Sequence, residues 1–178
     1  SPSSTVSLPN IKISYKMSKK SETNTKKNPT LKKVRGIGEI TEYILEANRL
    51  GVLFVERKGT GVVTSNIIYK VGSRDELPGE TGLAHMLEHM LFKQTTFDIK
   101  RKSDPASMRF EREVGVVLNA NTWKDRTCYY FSYPKEHFNR ALQIEAERMY
   151  DVVLSDKEFT PERTNVLSEF DMHAGDEL

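Results

Sequence analysis

Three side chains in one short run have the types and spacing for metal chemistry. They are His85, Glu88 and His89, within Gly82 to Phe92, G-L-A-H-M-L-E-H-M-L-F. On a helix, imidazoles four positions apart lie about 5 to 6 Å from each other at Cβ, the spacing at which one helix grips one ion from two sides. Glu88 shares their face, and a carboxylate there is placed to take a proton from a water that a metal ion acidifies to a pKa of about 7. The bland alternative is an amphipathic helix whose histidines are hydrogen-bonded in a core. Three polar groups gathered on an otherwise apolar helix would then each need a partner. The same period predicts that Leu83, Met86, Leu87, Met90 and Leu91 form a buried stripe.

A hydrolytic zinc site takes three protein ligands and leaves one position open, so a further ligand must come from elsewhere. Glu162 and Glu169, in the last predicted helix, are seven positions apart, which is two turns and about 10.5 Å along the axis. They share a face but cannot both bind one ion: one is a ligand and the other, at most, supports it from outside. His173, one turn beyond Glu169, is an alternative fourth ligand that would close the site and make the metal structural. His137 reads as a surface or capping residue, and Trp123, Tyr129, Tyr130 and Phe131 read as hairpin packing.

These residues need elements to hold them. Strand patterns occupy 41–46 and 52–57 around a turn at Asn48 to Gly51, and a longer β-rich run covers 62–71. A loop with Asp75 and Pro78-Gly79 leads to the candidate metal helix. Residues 93–104 read as a polar, basic connector, and 105–114 as a short helix opened by Asp104 and Pro105 and stopped by Gly115. A second hairpin follows over 116–121 and 127–133. Pro134 opens an amphipathic helix to about Val152, with Phe138, Leu142, Ala146 and Met149 on one stripe, and Thr160-Pro161 start a last helix from Glu162. This order predicts an α+β fold, a largely antiparallel sheet with helices packed on one face.

Composition divides the chain. The first 35 residues hold nine Lys or Arg and one acidic residue, leaving 18 basic and 24 acidic residues in the remainder. Lysines scattered without interleaved aromatics read as a basic, solvated, flexible leader over 1–36 rather than a nucleic-acid surface. Cys128 is the one cysteine, so no internal disulfide forms, and it reads as a small buried hydrophobe. No apolar run approaches the roughly 18 residues of a membrane span. The compartment is left open.

Three longer runs carry a resemblance. G-S-R-D-E-L-P-G-E-T-G-L-A-H-M-L-E-H-M-L-F-K, then N-A-N-T-W-K-D-R-T-C-Y-Y-F, then E-R-T-N-V-L-S-E-F resemble the catalytic domain of the pitrilysin and insulysin family, the inverted-motif zinc metallopeptidases. The likeness is nearest to the bacterial zinc-protease and mitochondrial processing peptidase β branch, and Gln94 stands where that family carries Gly. It implies one zinc ion held by His85, His89 and Glu169, Glu88 as general base, and Glu162 as an outer residue steadying a histidine or the water. It also implies Asn119 and Ala120 on a strand edge to which a peptide or unfolded segment adds as an extra strand. Residues 37–178 would then be an N-terminal catalytic domain, incomplete at its C-terminus and half of a two-domain unit, with a second homologous domain or subunit completing the site. The expected function is a zinc endopeptidase; the alternatives are a non-catalytic partner subunit and a structural zinc domain.

Overall fold

The computed structural model describes residues 30–176, with side chains to residue 172. The chain divides after Gly61. Before it lies an antiparallel meander, β1 (Leu31–Ile37), β2 (Ile40–Leu45) and β3 (Gly51–Val55), with β2 in the centre. Asn48 makes the β2–β3 turn by accepting the Leu50 N–H at 3.1 Å, with Arg49 in the left-handed region at φ 64°. β1 begins inside the stretch assigned to the leader, so residues 31–36 are sheet. The leader's remaining residues, 1–29, lie outside the described ones.

The larger unit, from Val62, holds the candidate chemistry. Its sheet is antiparallel in the order β4 (Val62–Tyr69), β6 (Thr127–Pro134), β5 (Val117–Thr122), so β5 is an edge strand among the described residues. β6 alternates strictly, and its inward residues Thr127, Tyr129, Phe131 and Tyr133 are all buried. Against the sheet pack helices α1 (Leu83–Met90), α3 (Ala106–Val114) and α4 (Phe138–Asp151), while α2 (Thr96–Arg101) is tied to the end of α4 through Thr96 and Asp151 and α5 (Asp156–Asp176) lies against α1. The core joins Phe110 of α3, Phe131 and Tyr133 of β6, and Ala141 and Ile144 of α4. Phe110 is fully buried, its ring about 6 Å from Phe131 and Tyr133 at 6.1 and 6.0 Å, edge-on or tilted as aromatic quadrupoles prefer. The fold is thus α+β, with antiparallel sheets and helices, as the pattern of elements implies.

Four local expectations give way. The connector over 93–104 contains α2, opened by a reciprocal cap in which Thr95 Oγ1 accepts the Asp98 N–H at 3.2 Å and Asp98 Oδ2 accepts the Thr95 N–H at 3.1 Å. The last helix starts at Asp156, not at Glu162. Ser155 caps it, its carbonyl taking the Phe159 N–H at 2.8 Å, and Pro161 sits inside the helix.

In α1 the buried residues are Ala84, Met86, Glu88 and Met90, while Leu83 and Leu87 are 54% and 43% exposed. Met86 and Met90 of the expected stripe are buried, and Glu88 joins them facing β5 and β6, where its carboxylate accepts the Thr122 hydroxyl and its main-chain carbonyl the Tyr129 hydroxyl. In α4 the buried line is Ala141, Ile144, Glu145 and Arg148, whereas Met149 is exposed. Charged residues on a core face there are paired by charge and by aromatic contact, while Glu145 Oε2 and both terminal nitrogens of Arg148 have no hydrogen-bond partner among the described residues. Arg148 Nη1 lies 3.5 Å from Glu145 Oε1, and its guanidinium stacks 4.7 Å from the rings of both Phe92 and Tyr129. Burial pushes the Glu145 carboxyl above its usual range and the Arg148 guanidinium below its own, and the pairing opposes both shifts.

Candidate metal centre and active site

α1 begins at Gly82, held at φ 90°, a left-handed conformation that glycine adopts at no steric cost. Glu76, from the preceding loop, caps this end. Its Oε2 accepts the Gly82 N–H at 2.9 Å and its Oε1 the Ala84 N–H at 2.8 Å, so a carboxylate meets the positive end of the helix dipole. The loop is stitched to the β5–β6 turn by Ser73 N–H to Trp123 O at 3.1 Å and Arg74 N–H to Lys124 O at 2.8 Å. These contacts set where the helix starts and which residues reach the cleft.

One turn into α1, His85 and His89 bring their Nε2 atoms to 3.1 Å of each other. α5 crosses α1 and supplies both acidic residues. Glu169 Oε2 lies 3.5 Å from each of the two Nε2 atoms, and the three donor atoms fall within 4.8 Å of one another. Glu162 takes the opposite side of the same ring, its Oε1 being 2.8 Å from His89 Nδ1. The two acids, seven residues apart on one helix, therefore address the two nitrogens of one imidazole. Glu162 Oε2 also binds the Lys93 ammonium. Burial pushes the Glu162 carboxyl up, but the hydrogen bonds and charges of Lys93 and His89 together hold it below the usual carboxylate value.

The donor set fits a zinc ion. Zinc is a borderline-soft ion that takes both imidazole nitrogen and carboxylate oxygen, and ligand atoms at about 2.0 to 2.1 Å from a tetrahedral centre stand roughly 3.3 Å apart, close to the 3.1 and 3.5 Å spacings seen here. A carboxylate on the far nitrogen of one ligand is the support that metal-binding histidines ordinarily have. His173, considered above as a fourth ligand, has its side chain outside the described residues.

Glu88 is buried, and its Oε2 accepts the Thr122 hydroxyl at 2.5 Å. The Tyr129 hydroxyl donates to the Glu88 main-chain carbonyl at 3.4 Å, and burial pushes that phenol well above its usual range. His85, Glu88, His89 and Glu169 all open on one cleft of about 590 Å³, whose other wall is β5 from Asn119 through Thr122, with Trp123 at its end. Asn119 Oδ1 accepts the Ala120 N–H at 2.8 Å. The structure thus gathers His85, Glu88, His89, Asn119, Ala120 and Glu169 around this cleft, with Glu162 behind His89.

Sequence reasoning missed Glu76, Lys93, Thr122 and Tyr129. Lys93 was within reach, since His85, His89 and Lys93 recur at every fourth position. Thr122 lies inside the N-A-N-T run, but nothing local says that its hydroxyl meets Glu88. Glu76 and Tyr129 carry no local signal.

Residues 52–175 match the insulinase family, peptidase family M16. The chain belongs to the M16 peptidase family. It is 40% identical over 129 residues to the zinc protease PqqE of Helicobacter pylori, a match covering 72% of this chain and 28% of that protein. It is 33% identical over 115 residues to the mitochondrial-processing peptidase subunit beta of Rattus norvegicus, covering 64% of this chain and 22% of the relative. The crystal structure of pitrilysin superposes with a TM-score of 0.66 at 23% identity, over 85% of this chain and 15% of pitrilysin, a likeness of fold. This M16 chain spans less than a third of the curated relatives it matches.

Proposed function

We propose that the chain is the N-terminal catalytic domain of a zinc-dependent endopeptidase that cleaves peptides or unfolded segments. The observation that carries this reading is the convergence of His85, His89 and Glu169 to within 4.8 Å, beside the Glu88 carboxylate and the β5 edge in one cleft. His85, His89 and Glu169 would hold the zinc, which when bound supplies a Lewis acid that polarises the scissile carbonyl and acidifies the attacking water. Glu88 takes the proton of that water as general base and returns it to the leaving amine. Glu162, itself held by Lys93, fixes the orientation of His89 from the Nδ1 side.

The substrate would lie along β5 as an added strand. Asn119 and Ala120 sit in the cleft wall on this edge, and main-chain pairing there suits substrates of varied side chain. A second homologous domain or subunit completes the site in this reading, consistent with the small share of its relatives that the chain spans and with one relative being named a subunit.

The test is cleavage of a quenched peptide by the full natural polypeptide, with any partner supplied, together with metal content by mass spectrometry. Glu88→Gln is expected to keep zinc and lose cleavage, and His85→Ala to lose both. Cleavage that survives in Glu88→Gln, or that persists after exhaustive chelation, refutes the proposal.

A further inference from the structure

The Glu88 carboxylate is tied to a strand edge as well as to its own helix. Thr122 is the last residue of β5, and its Oγ1 donates to Glu88 Oε2 at 2.5 Å. Thr122 is itself held by the sheet, paired across the β5–β6 ladder with Thr127. Thr127 is 6% exposed, and its hydroxyl donates to the Val71 carbonyl at 3.0 Å, so its single proton is committed. The Thr122 hydroxyl has two acceptors within reach, the neutral Thr127 Oγ1 at 3.3 Å and the carboxylate at 2.5 Å. The shorter contact to the acidic group is the stronger one.

A glutamate side chain on a helix has three rotatable bonds, so the helix alone leaves its carboxylate free to turn. The Thr122 hydroxyl removes that freedom from a residue that still lines the cleft. The strand that supplies the hydroxyl also carries Asn119 and Ala120, three and two positions upstream.

We infer that Thr122 is a positioning residue that sets the Glu88 carboxylate in register with the β5 edge, so that the base and the strand-bound substrate share one reference frame. This rests on the peptidase reading of Glu88. Thr122 exchanges no proton with the substrate and acts through Glu88. A peptide would still bind in its absence, with the base wrongly turned.

The experiment compares Thr122→Val and Thr122→Ser with wild type and with Glu88→Gln, in the full natural polypeptide. Its readouts are kcat and KM on a quenched peptide, zinc content and thermal melting. Thr122→Val keeps the shape and removes the hydroxyl; it is expected to lower kcat about 10- to 100-fold, the scale of one hydrogen bond to a charged group, with KM within about twofold. Thr122→Ser restores the hydroxyl and is expected to recover kcat to within about threefold. Glu88→Gln inactive with Thr122→Val at wild-type kcat overturns the inference and leaves the peptidase reading standing. Loss of zinc or of folding in Thr122→Val that Thr122→Ser does not repair also overturns it, because the threonine would then be a structural part of the sheet. Glu88→Gln with wild-type cleavage removes the peptidase reading and the inference together.

Discussion

Glu162 offers a graded test of how the chain supports His89, a proposed metal ligand. Its Oε1 lies 2.8 Å from His89 Nδ1, and its other oxygen binds the Lys93 ammonium. Glu162→Ala removes an ionised acceptor from a half-buried imidazole, a loss of about 1.5 to 3 kcal/mol, which corresponds to roughly 10- to 100-fold in zinc affinity. Glu162→Gln keeps a neutral acceptor for Nδ1–H and sets an amide N–H₂ opposite Lys93, donor against donor. The retained neutral bond returns part of the loss, so a fall of about fivefold to tenfold is expected. Zinc affinity therefore ranks wild type, then Glu162→Gln, then Glu162→Ala. The assay is competition with a fluorescent chelator on metal-stripped protein, with His85→Ala as the non-binding baseline and circular dichroism as a check on folding. Zinc binding by Glu162→Ala within about twofold of wild type refutes the reasoning, because the Nδ1 contact would then contribute nothing to the ligand.

Other perturbations have equally definite outcomes. A Cβ on Gly72 would stand 2.1 Å from the Trp123 carbonyl oxygen, so Gly72→Ala must break the stitching of the loop to the β5–β6 turn. It is expected to cost about 2 to 4 kcal/mol, read as a drop in urea midpoint at constant slope. Phe110→Ala empties the centre of the core and is expected to cost about 3 to 5 kcal/mol by the same measurement. Glu145→Met alone leaves Arg148 buried without its partner and is expected to destabilise by about 3 to 5 kcal/mol, whereas Glu145→Met with Arg148→Met is expected to be close to neutral. Burial pushes the Cys128 thiol up, so at pH 8 it holds less thiolate than a free cysteine and is expected to alkylate more slowly with iodoacetamide, followed by mass spectrometry. A rate equal to that of free cysteine contradicts this.

Much of the site was legible in the sequence because its chemistry is local. Two histidines four apart with a glutamate between them describe one face of one helix wherever that helix packs. The second hairpin was also local, since the turn between its two β-prone runs lies in sequence between them. What escaped was whatever depends on a partner distant in the chain. Leu83 and Leu87 looked like core residues because hydropathy ranks them above Glu88, yet Glu88 faces inward to meet Thr122, thirty-four positions away. The expected stripe of Phe138, Leu142, Ala146 and Met149 left out Glu145 and Arg148, because nothing nearby in sequence shows the aromatic rings of Phe92 and Tyr129 that receive the guanidinium. The missed α2 is different: Thr95 and Asp98 form a local cap signal that the basic residues around it obscured.

By itself the sequence determined the pair of imidazoles and their glutamate on one helix face and the class of fold, and it offered two acids on the last helix as candidates to complete a metal site. Spacing alone left open which acid stands where; the family resemblance implied Glu169 beside the imidazole pair and Glu162 behind a histidine, and the tertiary structure supplies the geometry. It sets Glu169 against the Nε2 pair and Glu162 against Nδ1 of the same ring. The physical reason is that helical periodicity fixes which residues share a face but not how far that face slides along its neighbour. Seven residues of α5 span about 10 Å, and the packing of α5 on α1 decides which end meets which nitrogen.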